Sequence, residues 1–471
     1  MTSHRRATRR PDAAPAVVTV DIAAVLNPAA SPLLFGLSNE PSRDHQAAVY
    51  PQLAASGVTF QRGTLHLNRL FDTPYPALTL QEYRDGTGGV RDPDTWDWGA
   101  LSWLDHAKAH GITTQLNLLQ VPGWLTHNGA VNGIPVDWTV WRHIITTVVR
   151  RYASKIDSID ILNEPMTDAM VDITDSPFPS QAAAAVQMYA QTVRAIREAD
   201  SEVLVGGPGE DRHGGDFGAI GTILRDSRLS PTDLQFVSIH SYGAEPVGQL
   251  RLPGLRRLLS DAGRGALPVY VNEWNHNYAA DTSAPEVMGE AAVSFVADTL
   301  LRLARDPSIA GAAFMSALPG NVPLHPDQNA RGAVIRQAIY DWHGSHATLW
   351  PQTRAFRLLS VDAGLGAGPF AVCAASHDGL ANAAGFVNTS GTQGAILING
   401  SPAAQPVEVR FVHLAAPART VSVAVHTADA QATHDAPPTP TRREVSMVRG
   451  SAVIRDLILR PRSAVALVLS A

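Results

Sequence analysis

The chain has 471 residues, 45% of them hydrophobic and 17% charged, with a formal net charge of −6. That is long enough for more than one globular domain, and acids and bases are scattered, so neither a basic stripe for nucleic acid nor an acidic solvating tail is present. A single cysteine, Cys373, excludes an intrachain disulfide framework and a cysteine-held zinc, and the only lysines, Lys108 and Lys155, fall on or just after predicted outer helices, which excludes Schiff-base chemistry in a barrel mouth.

Residues 1–16, with arginine pairs at Arg5-Arg6 and Arg9-Arg10, read as a disordered basic tail. They have the charge of a signal n-region, but Asp21 interrupts the only apolar stretch that follows. The expectation is a cytoplasmic protein without a transmembrane segment, with secretion as the alternative. Residues 17–30 contain a strand, Val17–Ile22, expected to join a β-domain formed later in the chain.

From 31 to 350, short apolar runs alternate with segments of helical period. The predicted strands are Leu33–Leu37, Thr59–Arg62, Thr113–Leu119, Ser158–Leu162, Glu202–Gly206, Phe236–His240, Pro268–Asn272 and Ile309–Met315. One intervening helix carries Val140, Trp141, Ile144, Ile145, Val148, Val149 and Tyr152 on one face, and another Val186, Tyr189, Val193 and Ile196. Eight strands with a helix between each predict a closed (β/α)8 barrel. A doubly wound open sheet would show a glycine-rich phosphate turn after an early strand, and none is present. Gly206-Gly207-Pro208-Gly209 has neither dinucleotide spacing nor the Lys-Ser/Thr of a P-loop, and reads as a sharp turn leaving strand five.

From 351 to 471 the period changes to two. Val407, Val409 and Phe411 alternate with Glu408 and Arg410; Leu457 with Leu459, and Val465, Leu467 and Leu469, repeat the pattern. Asn399-Gly400-Ser401-Pro402 and a proline-rich loop around Ala436–Pro440 separate the runs, which predicts a β-sandwich.

Catalytic groups of such a barrel gather where the strands end. Strand four runs into Asn163-Glu164-Pro165 and strand seven into Asn272-Glu273-Trp274-Asn275. Two carboxyl groups about 5–5.5 Å apart, one protonated and one ionised, are what hydrolysis of a glycoside with retention requires.

These segments resemble the large clan of (β/α)8 glycoside hydrolases with an acid/base on strand four and a nucleophile on strand seven, and more closely its family 39. Val205-Gly206-Gly207-Pro208 is similar to the strand-five signature, and Phe236-Val237-Ser238-Ile239-His240-Ser241-Tyr242 to the strand-six His-x-Tyr. Pro122-Gly123-Trp124-Leu125 resembles the strand-three loop, and Pro351-Gln352-Thr353-Arg354-Ala355-Phe356 the segment leaving the barrel. Two positions depart from the pattern: Leu162 stands where the family has Trp, and Phe314-Met315-Ser316 where many clan members place a Trp under the sugar.

The resemblance implies a retaining hydrolase of an oligo- or polysaccharide, β-xylosidase-like or exopolysaccharide-hydrolase-like. It makes Glu164 the acid/base and Glu273 the nucleophile. Asn163 would bond the sugar 2-hydroxyl, Tyr242 and Arg62 would contact the nucleophile, and His240 would line the mouth. Trp124 would be a sugar platform, with Trp274 beside it in the substrate-binding set.

Each residue has a plainer reading. Glu273 as a buried carboxylate paired with arginine, His240 as a satisfied strand-end histidine and Trp124 as core packing are the alternatives. Asn-Glu-Pro also occurs at Asn39-Glu40-Pro41, so placement has to discriminate; Glu40 reads as a substrate contact or a helix first turn. Glu210 and Asp211 read as solvated loop acids. His106 and His110 lie four apart without the glutamate of a zinc-protease motif, so no metal and no cofactor are expected. A non-catalytic carbohydrate-binding barrel remains the alternative function.

Overall fold

The computed structural model describes residues 15–200, 202–211, 217–277, 289–321, 338–415, 419–430 and 439–470. The arginine pairs of the basic tail and most of the proline-rich loop near Ala436 lie outside them.

The first strand, β1 (Ala16–Val25), belongs to the C-terminal sheet. The next eight are β2 (Leu34–Ser38), β3 (Phe60–His66), β4 (Thr113–Leu119), β5 (Ser158–Ile161), β6 (Leu204–Glu210), β7 (Phe236–Tyr242), β8 (Val269–Asn275) and β9 (Ile309–Met315). They pair in sequence order and in parallel, and β9 closes back on β2 through Ser38 and Met315, giving the predicted (β/α)8 barrel. The helices between them bury the stripes their sequences carry. In Trp138–Tyr152, Val140, Trp141, Ile144, Ile145, Val148, Val149 and Tyr152 are buried, and Asp137 caps the first turn by accepting from the amides of Thr139 and Val140.

Strand parity decides what reaches the barrel interior. On β3, a Cβ at Gly63 would lie 2.3 Å from the indole of Trp103 on the outer helix Ser102–Ala109. Gly63 therefore faces outward, and Arg62, Thr64 and His66 face the lumen.

Gly206, Gly207 and Gly209 lie within β6 rather than in a turn after it, a correction to the sequence reading. A Cβ at Gly206 would stand 2.3 Å from the carbonyl of Phe236 on β7, and one at Gly207 2.5 Å from the carbonyl of Ile161 on β5. The glycines let three strands approach where the register of β6 against β7 shifts.

After a two-stranded hairpin, β10 (Tyr340–Trp342) and β11 (Ala347–Leu349), the β-rich domain follows. It comprises β12 (Ala371–His377), β13 (Asn382–Val387), β14 (Gln393–Asn399), β15 (Gln405–Val412), β16 (Thr420–Ala428), β17 (Thr441–Val448), β18 (Ser451–Leu459) and β19 (Ser463–Ser470). Their hydrogen bonds form one ring, β1-β12-β13-β14-β19-β16-β17-β18-β15, which β1 closes by pairing antiparallel to β12 and parallel to β15.

Alternation on β14 and β19 serves two cores. Ala395, Leu397, Val465 and Leu467 pack inside the ring, whereas Ile396, Ile398, Ala464 and Ala466 join the core that includes the barrel. Asn382 fixes the same face by donating to Asp298 at 2.6 Å and accepting from Arg305 at 2.6 Å. Among the described residues no helix is long and apolar enough to cross a membrane.

Candidate active site

Arg62, fully buried on β3, organises the floor of the barrel mouth. Its Nε donates to Asp160 at 3.0 Å, one terminal nitrogen to Glu273 Oε1 at 2.7 Å, and the other to Asn163 Oδ1 at 2.6 Å. Asp160 on β5 also accepts from Ser238 at 2.6 Å, Asn272 at 2.8 Å and Asn117 at 3.1 Å, so four strands converge on one carboxylate. A buried ion pair stands only when its remaining lone pairs are satisfied, and here they are.

Glu273, third from the end of β8, receives a second bond from the Tyr242 hydroxyl, 2.7 Å to Oε2. Burial pushes its carboxyl up, but the charges of His240 and Arg62 and the bonds from Tyr242 and Arg62 outweigh that and hold it below its ordinary value. Glu273 is thereby kept ionised. The same contacts push the other way on Tyr242, whose hydroxyl is raised by burial and by the Glu273 charge, so it stays a donor.

Glu164 stands across the mouth, two residues past Leu162, both in the left-handed region at φ +43° and +72°. Side chains rarely adopt that conformation, and here the surroundings hold it: the Glu164 amide donates to the carbonyl of Gly209 on β6 at 3.0 Å. His240 lies between the two glutamates, its Nδ1 2.8 Å from Glu164 Oε1 and 3.5 Å from Glu273 Oε2. Burial lowers its pKa, but the Glu273 charge and the bond to Glu164 raise it further. Gly209 makes room for this ring, since a Cβ there would sit 3.1 Å from His240 Nε2. One donor atom from each of Glu164, His240 and Glu273 lies within 4.8 Å of the others.

The structure thus brings together Glu164, Glu273, Asn163, His240, Tyr242 and Arg62. It separates the two tryptophans. Trp274 is fully buried, edge-on to Phe314 at 5.2 Å and near Phe295 at 6.2 Å. The register of β8 shifts between Val271 and Trp274, so Asn272 and Glu273 both face the lumen and the Trp274 indole packs against Phe295 of the outer helix Ala292–Ala304. Its place in the substrate-binding set is corrected to core packing. Trp124 is half-buried, with Tyr83 stacked on it at 5.0 Å and Phe71 edge-on at 5.4 Å.

Glu210 is a further correction: it is 1% exposed and accepts from the amides of Ala219 and Ile220 at 3.0 and 2.8 Å, at the start of helix Gly218–Arg225. Asp160 was missed. Its signal was an acid flanked by apolar residues inside a buried strand, Ser158-Ile159-Asp160-Ile161.

A closed parallel barrel with glutamates at the ends of its fourth and seventh strands, followed by a β-rich domain, defines the architectural class of this chain. No protein-family model matches it, and no curated protein matches it in sequence. Solved structures share its fold over nearly the whole length. A glucosidase from Croceicoccus marinus is 14% identical, covering 97% of this chain and 99% of its own, with a TM-score of 0.69. The GH39 enzyme from Xanthomonas axonopodis pv. citri is 18% identical, covering 97% and 98%, with a TM-score of 0.65. A glycoside hydrolase family 30 subfamily 8 xylanase from Clostridium acetobutylicum is 12% identical, covering 96% and 99%, with a TM-score of 0.61.

Proposed function

We propose that this chain is a retaining glycoside hydrolase acting on an oligo- or polysaccharide, with Glu273 as nucleophile and Glu164 as acid/base. The observation that carries this reading is the pair of carboxylates bridged by His240, with donor oxygens within 4.8 Å. Retention needs a separation of about 5–5.5 Å, whereas inversion leaves roughly 6.5–9.5 Å for a water between the groups. The fold shared with a glucosidase, a family 39 enzyme and a xylanase supports the same reading.

In the first step Glu273 attacks the anomeric carbon while Glu164 delivers a proton to the departing glycosidic oxygen. Arg62 and Tyr242 keep the attacking carboxylate charged and fixed in direction. Asn163 spends its carbonyl oxygen on Arg62, which leaves its amide nitrogen to bond the sugar 2-hydroxyl. In the second step Glu164 takes a proton from water, which releases the sugar from Glu273. His240 Nδ1 lies within reach of both carboxylates, 2.8 Å from Glu164 and 3.5 Å from Glu273.

Proton NMR of the first-formed product tests the reading. The anomer released first should keep the configuration of the substrate; an inverted anomer would remove Glu273 from the nucleophile role.

A further inference from the structure

Above the Arg62 floor, on the wall formed by β2, β3 and β4, stands a second group of polar side chains that the proposed chemistry does not use. Arg62, Thr64 and His66 share the lumenal side of β3, so His66 stands two layers above the guanidinium. Glu40, two residues past the end of β2, is half-buried and accepts from the Thr64 amide at 3.1 Å, one layer above Arg62. Its neighbour Asn39 turns away, donating to the Met315 sulfur at 3.3 Å from a left-handed backbone at φ +57°. His66, also half-buried, has its Nδ1 2.9 Å from Gln120 Oε1, and Gln120 follows β4 in the left-handed region at φ +60°.

These three side chains offer a defined set of bonds. Burial and the Arg69 charge push His66 down to about 4, so it is a neutral ring; with its Nδ1–H donated to Gln120, its Nε2 accepts. Burial raises the Glu40 carboxyl against the Thr64 amide and the charge of Arg69. The wall therefore presents acceptors from Glu40 and His66 and a donor amide from Gln120. Sugar hydroxyls both donate and accept and suit it. A uronate carboxylate brings only acceptors and sets a second negative charge against Glu40, which already draws on the Arg69 charge felt at this wall.

The wall lies on the glycone side. Glu164, from which the leaving group departs, is tied to Gly209 on β6 and His240 on β7, across the mouth. Arg62, which grips Glu273, lies at the foot of the wall.

We propose that Glu40, His66 and Gln120 form the subsite that holds the glycone, and that it selects neutral hydroxyl-bearing sugars over uronic acids. The proposal rests on the hydrolase reading and deepens it.

The test compares neutral nitrophenyl glycosides with nitrophenyl uronides, together with 3-deoxy and 4-deoxy forms of the best neutral substrate. The wild-type protein should favour the neutral sugar by about 100-fold or more in kcat/KM, and loss of one ring hydroxyl should cost about 30-fold, the range for a hydrogen bond to a charged or buried partner. Glu40→Ala should remove most of the deoxy penalty, and Glu40→Gln should narrow the gap between neutral sugar and uronide by about tenfold. A merely structural role for Glu40 would slow all substrates alike and leave both ratios unmoved. A wild-type preference for uronides, or a deoxy penalty of equal size in wild type and Glu40→Ala, overturns the subsite alone. Should Glu40→Ala fail to fold, Gln120→Ala reads the same deoxy ratio at another member of the wall, and an unchanged ratio there overturns the subsite equally. Failure to cleave any glycoside sinks the hydrolase reading and the subsite with it.

Discussion

Asp160 accepts the Nε–H of Arg62 at 3.0 Å, and that contact aims the two remaining nitrogens of the guanidinium at Glu273 and Asn163. Glu273 is thus oriented by a carboxylate on another strand that has no direct contact with it among the described bonds. The planar fork matters, because an ammonium is a point charge that cannot hold three partners at fixed angles.

Arg62→Lys should accordingly lower kcat by about 100-fold, on the scale of losing a positioned charged contact. The pH profile should move as well. Arg62 helps depress the Glu273 carboxyl, and the proposed nucleophile has to be ionised to attack. Weakening that contact raises its pKa, so the acid limb of kcat/KM should shift to higher pH. Tyr242→Phe should shift the same limb in the same direction by removing the other bond to Glu273. An acid limb that stays in place in both variants would separate Glu273 from the profile.

The division of labour between the glutamates shows in the leaving group. Glu164→Gln should nearly abolish activity on natural saccharides, which leave poorly without a proton, and should spare the first step on an activated aryl glycoside. Turnover should then stall at the covalent stage until azide, which needs no base, restores it and yields a glycosyl azide of retained configuration. Glu273→Gln should be inactive on both substrates. Azide rescue in a Glu40 variant and not in Glu164→Gln would transfer the acid/base role to the first Asn-Glu-Pro.

Glu210 gives the fold its own pH dependence. Burial pushes its carboxyl up to about 7, against the amides of Ile220 and Ala219. A carboxyl whose folded pKa is raised contributes stability fully present below its unfolded pKa and lost as pH rises through the folded value. Between about pH 4.5 and 7 this group should therefore make the protein less stable as pH increases. The melting temperature of Glu210→Gln relative to wild type should rise across that window. A constant difference between pH 5 and 8 would contradict the assignment.

The C-terminal ring should be inseparable from the barrel. Ile396, Ile398 and Phe370 join the core that includes the barrel and are fully buried there. Each such side chain is worth about 1.5–3 kcal/mol on burial. Truncation near residue 350 exposes their apolar counterparts and leaves β1 without its partners β12 and β15. The fragment should be insoluble on expression; a soluble barrel with full activity would refute the fixed packing.

How much the linear order of residues reveals depends on how local the cause is. All eight barrel strands were legible, because a buried strand is a short apolar run wherever it finally packs. Their ends were less so: β3 continues through Gly63, Thr64 and Leu65 to His66, and β6 through its glycines to Glu210, since polar residues at a barrel mouth interrupt the apolar pattern without ending the strand. That Glu164 and Glu273 stand where the fourth and seventh barrel strands end was legible from their motifs and spacing. Trp274 is placed with the substrate by the resemblance of its segment to that of the nucleophile; a register shift in β8 that turns both Asn272 and Glu273 inward leaves its indole in the core, and no local pattern announces such a shift.

Other features had no local cause. That Asp160 gathers Arg62, Asn117, Ser238 and Asn272, and that Glu210 caps a helix rather than facing water, follow from strands and helices brought together across the barrel. The charge state of a carboxyl is set by the cations and amides within a few ångströms of it. The sequence by itself therefore determined the strands, most of their alternating faces and the placing of the two glutamates at the ends of the fourth and seventh barrel strands. Only the tertiary structure decided which of the buried acids is held ionised and which is pushed towards its neutral form, because that choice depends on neighbours that lie far away along the chain.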